Sequence, residues 1–485
     1  MIHYPSIPAR YVKTGVKAYD GHPLIEALPI LETSKDDILR RIEFYPPPAT
    51  ESERRKSDLI RISELSRIGF LVYPLAEYRR GGFDATQNIR EAYVGRNPAT
   101  AEDQRRRALI AADHEDCHIE AIFGSTARGQ TILGVSGSGK TTFGARFFEP
   151  YCVVIEHVEY NGCPLRLRQI PCISLAVPHD ATLKSFCLQF FETVDAILGN
   201  TRYLHEAMLV RSVANMARLL RKVATAISLG TLFIDELQNL RAAKGDQAEI
   251  VLNLFSQIID LAGVSVVVAG TPAVEAVISK NVRNIRKLTS GGCCCFPVMR
   301  RGDPQWRALC ECYWPYQFVR RPTPLTEEVL DGWHGSSGGN PAFTALSFAL
   351  AQRQEIGERE VLDAISFQRV LETDMCLLKP AIQALLSGKA TDLQRFDDLL
   401  FRENLLELRD AMGWPGDELP AGSTSSGGAA PRGTEKHEEA EFDELKDRSK
   451  EKAKTKERRP MTPGVCRAKT RAGKGIRLPV VDPLH

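Results

Sequence analysis

The sequence predicts an α/β fold: a parallel sheet with helices on both faces, followed by a smaller helical unit. Three observations carry this. Short apolar, β-branched runs alternate with longer helical ones between residues 119 and 335. A glycine-rich turn ending in Gly139-Lys140-Thr141 stands between the first of these strands and the helix after it. A later apolar run, Thr231-Leu-Phe-Ile234, ends in the adjacent acids Asp235 and Glu236.

The elements follow in order. Candidate strands are Gln130–Gly134, Tyr151–Glu156, Gln169–Ala176, Gly230–Ile234 and Val264–Gly270. Candidate helices between and after them are Thr141–Phe148, Thr182–Leu198, His205–Ala226, Asp246–Leu261 and Thr326–Trp333. From Pro341 the pattern is helical, with Pro341–Ala351, Glu358–Phe367 and Leu378–Leu386. Before residue 118 the chain is punctuated by proline, as in Tyr45-Pro-Pro-Pro48, and mixes loops with short helices such as Asp58–Ser66. A length of 485 residues suits about three units. The expected division is an accessory, partner-binding region at 1–118, a core at 119–335, a helical lid with C-terminal helices at 336–412, and a tail at 413–485.

The tail is expected to be disordered. Its Gly416–Pro431 stretch is rich in Gly, Ser and Pro; Glu435–Glu444 then holds six acids and one Lys, and Lys446–Arg477 holds thirteen Lys/Arg and three acids. Such a composition buries too little to offset the entropy of ordering. It reads either as a solvating tail or as an interaction arm. For the whole chain, Lys+Arg 63 nearly balance Asp+Glu 61, so any surface for nucleic acid must be local. No apolar run approaches the roughly 18 residues of a membrane span, and Met1–Arg10 has no apolar signal core, so a cytoplasmic protein with no membrane partner is expected.

Gly134-Val-Ser-Gly-Ser-Gly-Lys140-Thr141 has the pattern G-x-x-x-x-G-K-[ST] in the strand–turn–helix setting it requires. Gly134, Gly137 and Gly139 let backbone N–H groups approach phosphate oxygens, and the following helix presents its positive end. Lys140 would reach the β- and γ-phosphates of ATP, and the Thr141 hydroxyl would ligate Mg²⁺. The nucleotide set is completed by Ser136, Ser138 and Thr142. A phosphate loop needs a carboxylate for Mg²⁺ on a nearby strand end, and Asp235 is the candidate. Glu236 beside it would polarise the attacking water, which favours ATP hydrolysis over a kinase or a GTPase switch. Thr271, at the tip of Val264–Gly270, would read the γ-phosphate or orient water. Arg283 and Arg286, at helical spacing, are candidates for an arginine finger on a neighbouring subunit's nucleotide; a solvated helix face is the more frequent explanation for any single Arg.

With these residues in place, the region resembles the AAA+ ATPases that regulate DNA transposition, the TnsC/TniB family. The resemblance lies in Gly134–Thr141, the helix opening Thr182-Leu-Lys-Ser-Phe-Cys-Leu-Gln-Phe190, Phe233-Ile-Asp-Glu-Leu-Gln-Asn239 and Val268-Ala-Gly-Thr-Pro272. The opening Ile2-His-Tyr-Pro5 and the long region before the core look like the larger TnsC-type members. The resemblance implies an AAA+ core with ATP and Mg²⁺ as cofactors, in a bacterial, transposon-encoded protein. It implies a homo-oligomeric ring or filament on duplex DNA, held by the backbone and tolerant of sequence, which links a target-selector protein to transposase subunits. The alternative is a signalling or defence ATPase switch with no DNA role, and a third is a nucleotide-regulated scaffold without turnover. Two departures stand out: the run Cys293-Cys-Cys295, and Gly338-Gly-Asn-Pro341, which lacks the Arg many AAA+ proteins carry there.

Other constellations read more plainly. Cys293–Cys295 with Cys310 and Cys312 lack paired C-x₂-C spacing, so buried thiols are expected rather than zinc. His114-Glu-Asp-Cys-His118 matches H-E-x-x-H, but no third ligand follows and a surface or packing role is expected. Arg105–Arg107 and Arg54–Lys56 read as solvated faces.

Overall fold

The computed structural model describes residues 4–112 except Thr33, 124–393 except Lys280, and 395, 396 and 399. His114–His118 and the tail at 413–485 lie outside the described residues. Among the described residues eight strands are formed: β1 Ser6–Pro8, β2 Gly129–Gly134, β3 Val154–Tyr160, β4 Cys163–Gln169, β5 Cys172–Ala176, β6 Thr231–Asp235, β7 Ser265–Gly270 and β8 Cys293–Phe296. Five of them make an all-parallel sheet in the order β5-β6-β7-β2-β8. β2 and β7 are buried along their whole length, as apolar strands covered on both faces must be.

The period of two sorts side chains onto the two faces. Ile132, Cys172, Phe233, Val267, Ala269, Cys294 and Phe296 enter one apolar core; Leu133, Ile173, Ile234, Val266, Val268 and Cys295 enter the other. The second core is closed by helices Leu183–Leu198, Val213–Ala226 and Gln247–Gln257. The first is closed by the helix after the phosphate loop, Lys140–Phe148, by Glu77–Val94 of the N-terminal region, and by the C-terminal helices. Trp333 of helix Glu327–Ser337 stacks on Phe348 and Phe367, with ring centroids 4.9 and 5.1 Å apart. N-terminal region, phosphate-loop helix and C-terminal helices therefore share one core.

Four expectations about elements are corrected. Tyr151–Glu156 begins only at Val154 and leaves the main sheet: β3 pairs parallel with β1 and antiparallel with β4 in a separate three-stranded sheet. Asn161 (φ 50°) and Gly162 (φ 78°) supply the two left-handed residues of the tight β3–β4 turn. Gln169–Ala176 is two strands in two sheets, broken at Ile170-Pro171, where proline has no N–H for a ladder. His205–Ala226 is two helices, Arg202–Leu209 and Val213–Ala226, the second capped by Ser212. Glu358–Phe367 starts later, as Ala364–Glu372, behind a capping box at Asp363 and Ser366. The sheet's missing fifth strand is the cysteine run itself: on β8, Cys294 faces one core and Cys295 the other, as small apolar side chains. Burial raises the Cys294 thiol pKa well above its ordinary value, which keeps it neutral.

A buried ion pair ties the N-terminal region to the C-terminal helices. Arg61, fully buried, donates through Nη1 and Nη2 to both oxygens of Glu360 at 2.7 and 2.6 Å, and through Nη1 to the Phe318 carbonyl. Burial raises the Glu360 carboxyl pKa, but the Arg61 guanidinium and the N–H groups of Arg320 and Gly357 outweigh it and hold the carboxyl at about 2. The depressed pKa fixes the sign. The pair's contribution is full above the ordinary carboxylate range and is lost as pH falls toward about 2. Glu360→Ala leaves the buried guanidinium with Asp58, at 2.6 Å, as its remaining carboxylate, and is expected to cost about 3 kcal/mol at neutral pH, the lower end of the range for breaking a buried pair. Urea unfolding at pH 7 and pH 3 checks both statements: the penalty shrinks at the lower pH.

Candidate functional site

The phosphate loop leaves the C-terminal end of β2 and closes into helix Lys140–Phe148. Gly137 and Gly139 adopt φ of 81° and 95°, the left-handed conformation that the turn requires. The Lys140 ammonium lies inside the loop and donates to the carbonyls of Gly134 (2.7 Å) and Val135 (2.9 Å). Ser138 is fully buried, and its hydroxyl has no hydrogen-bond partner. Ser136, Thr141 and Thr142 are exposed around the loop's mouth.

The parallel register brings the acidic strand to the same edge. β2 and β6 flank β7 in parallel, so their C-terminal ends lie at the same edge of the sheet with β7 between them. There the Thr141 hydroxyl donates to Asp235 Oδ2 at 2.7 Å, although 94 residues separate the two. Asp235 Oδ1 accepts from the Glu236 N–H at 2.8 Å. Glu236 takes a left-handed φ of 57°, a strained conformation for glutamate, and is exposed. Thr271 follows β7 directly; its side chain is buried, and its hydroxyl has no hydrogen-bond partner. Gln238 joins these groups: its amide Nε2 donates to Glu236 Oε2, and its Oε1 accepts from the Thr271 N–H at 3.1 Å. Gln238 was not among the sequence-derived site residues, although it lies in the Asp235–Asn239 run.

Arg283 and Arg286 are exposed on helix Val282–Leu288. That helix ends against Gly129 at the start of β2, roughly 17 Å along the strand from the phosphate loop at about 3.3 Å per residue. Within one chain the structure brings neither arginine to the loop.

Two further side chains grip the loop from outside it. Tyr78, on helix Glu77–Val94, donates its hydroxyl to the Gly139 carbonyl at 3.0 Å. A Cβ on Gly139 would stand 2.5 Å from that hydroxyl. Burial raises the Tyr78 phenol pKa well above its ordinary value, so it stays protonated and able to donate. Asn340 caps helix Pro341–Glu355 and donates from Nδ2 to the Ser136 carbonyl at 2.7 Å. At Gly338–Pro341, where the resemblance leads one to expect an Arg, the residue at the loop is this asparagine. No local pattern marks Tyr78 or Asn340, which lie 61 and 204 residues from their partners.

A family model described as "AAA domain" matches residues 124–278, the stretch that carries β2, the loop, β6, β7 and Thr271. That segment is similar to AAA domains. Its parallel sheet, loop and flanking helices are those of a P-loop ATPase fold. No curated protein matches the chain. Among solved structures, the Walker-type ATPase PABY2304 of Pyrococcus abyssi is 13% identical, with a TM-score of 0.35 over 60% of this chain and 76% of that one. The RuvB Holliday junction branch migration motor of Thermotoga maritima is 11% identical, with a TM-score of 0.31 over 63% of this chain and 85% of that one.

Among the described residues, no helix is long and apolar enough to cross a membrane. None of their His, Cys, Asp and Glu side chains gather in threes as a metal cluster would require. Thr141 with Asp235 is instead the sparse oxygen pair that suits Mg²⁺ in a phosphate site, where the substrate and water fill the remaining positions.

Proposed function

We propose that the AAA domain binds and hydrolyses ATP, and that the chain uses this cycle to regulate DNA transposition. The observation that carries the first half is the Thr141–Asp235 hydrogen bond beside the loop. Thr141 and Asp235 would hold Mg²⁺, which supplies charge neutralisation across the β- and γ-phosphates when bound. Lys140 supplies a second positive charge, and the inward N–H groups of the loop hold phosphate oxygens. Glu236 accepts a proton from the attacking water, while Gln238 holds its carboxylate and ties it to the start of the Thr271 turn. The remote Arg283 and Arg286 suit an oligomer in which one copy's arginine reaches the next copy's γ-phosphate.

The second half is supported by the likeness of Phe233–Asn239 and Val268–Pro272 to the regulators of transposition. In this reading ATP-bound copies assemble on duplex DNA of any sequence and join a target selector to the transposase, and hydrolysis dissolves the assembly. The test is duplex binding by the purified full chain with Mg-ATP at 50 and 200 mM salt. Binding that requires ATP, ignores sequence and falls at least tenfold at the higher salt is expected, because phosphate contacts release counterions. ATP binding with no DNA binding at either salt would overturn the DNA role and leave a signalling switch.

A further inference from the structure

We propose that Asn340 is a positioning residue for the phosphate loop, and that through it the C-terminal helices and ATP strengthen each other's hold. The inference rests on reading residues 134–141 as an ATP site. Asn340 is fully buried, and the two ends of its amide face different elements. Nδ2 donates to the Ser136 carbonyl at 2.7 Å. Oδ1 accepts from the N–H groups of Ala342 and Phe343, at 3.0 and 3.3 Å, at the start of helix Pro341–Glu355. The amide fits only one way round: reversed, it would set oxygen against a carbonyl and NH₂ against two N–H groups. The Ala342 N–H also reaches the Gly137 carbonyl at 3.1 Å. Two consecutive loop carbonyls are thus held by the start of one helix.

The consequence follows from the peptide plane. Every described peptide is trans, and in a trans peptide C=O and N–H point in opposite directions. Fixing the Ser136 carbonyl toward Asn340 therefore turns the Gly137 N–H away from it; the next N–H, that of Ser138, donates within the loop to the Val135 carbonyl at 3.1 Å. The Gly137 N–H is thereby aimed as an N–H group by which such a loop holds phosphate. The fit leaves no room for a side chain on the loop, since a Cβ on Gly137 would stand 2.6 Å from Asn340 Oδ1. A helix that shapes the loop for phosphate is, by linkage, held more firmly once phosphate is bound.

The test separates this role from helix capping alone. Asn340→Ser keeps a good cap but is too short to reach Ser136, whereas Asn340→Ala loses both functions. ATP affinity by calorimetry, KM and kcat for Mg-ATP, thermal stability, and hydrogen exchange across Pro341–Glu355 with and without ATP are measured on the full chain. For Asn340→Ser we expect stability close to wild type, and Kd and KM raised about three- to tenfold by the lost hydrogen bond, with kcat little changed. The ATP-induced exchange protection of Pro341–Glu355 is lost as well. If Asn340→Ser proves unstable, Asn340→Asp, which also caps well but sets a carboxylate against the Ser136 carbonyl, must show the same loss. Wild-type affinity and protection in the serine or the aspartate variant would overturn the proposal and leave Asn340 a helix cap. Absence of ATP binding by the wild type would instead overturn the ATP-site reading, and this proposal with it.

Discussion

Lys140→Ala is expected to lower kcat/KM for ATP by a hundredfold or more, with most of the loss already present in binding. The ammonium lies within the loop, against the carbonyls of Gly134 and Val135, so it is in place before any ligand arrives. Removing a preorganised charge from a site where phosphate charge develops costs on the order of 10²–10³ in rate. The fold should tolerate the change: Lys140 is the first residue of its helix, where alanine is well accommodated, and the apolar contacts of Phe143 and Phe147 are untouched. Calorimetric titration with ATP checks binding, and an unfolding curve like that of wild type confirms that the loss is local.

Glu236→Gln is expected to separate binding from turnover. Its carboxylate accepts from Gln238 and stands one residue beyond Asp235, which pairs with Thr141. Glutamine keeps the shape but cannot take a proton from water, and loss of a general base costs about 10²–10⁴ in rate. ATP affinity should stay within a fewfold of wild type, because the phosphate-holding groups are all on the loop. Single-turnover assays would then show ATP bound and not cleaved, and any ATP-dependent assembly would persist rather than dissolve.

How much of this was legible in the sequence depended on the range of the interactions. The phosphate loop was readable because its chemistry sits in eight consecutive residues, Gly134–Thr141, and the structure places them between strand and helix as the motif requires. Asp235 and Glu236 were readable because an apolar run ending in acids has one natural place, the C-terminal edge of a parallel sheet. β8 escaped because Cys293-Cys-Cys-Phe296 has no β-branched residue to mark a strand; only its partner β2 makes it one. The N-terminal region carries no motif of its own, and the packing of Tyr78 and helix Glu77–Val94 on the phosphate-loop helix in a shared core was not legible. Such packing leaves no local period to detect. Asn340 was visible only as a missing arginine. What it does instead depends on a loop 204 residues earlier, which no window of sequence spans.

The central claim is ATP turnover at this loop. Phosphate release from Mg-ATP by the purified full chain, with and without duplex DNA, tests it most directly when run beside Lys140→Ala and Glu236→Gln. We expect steady release by wild type and background release by both variants. No release by wild type under either condition, or equal rates for all three proteins, would contradict the account.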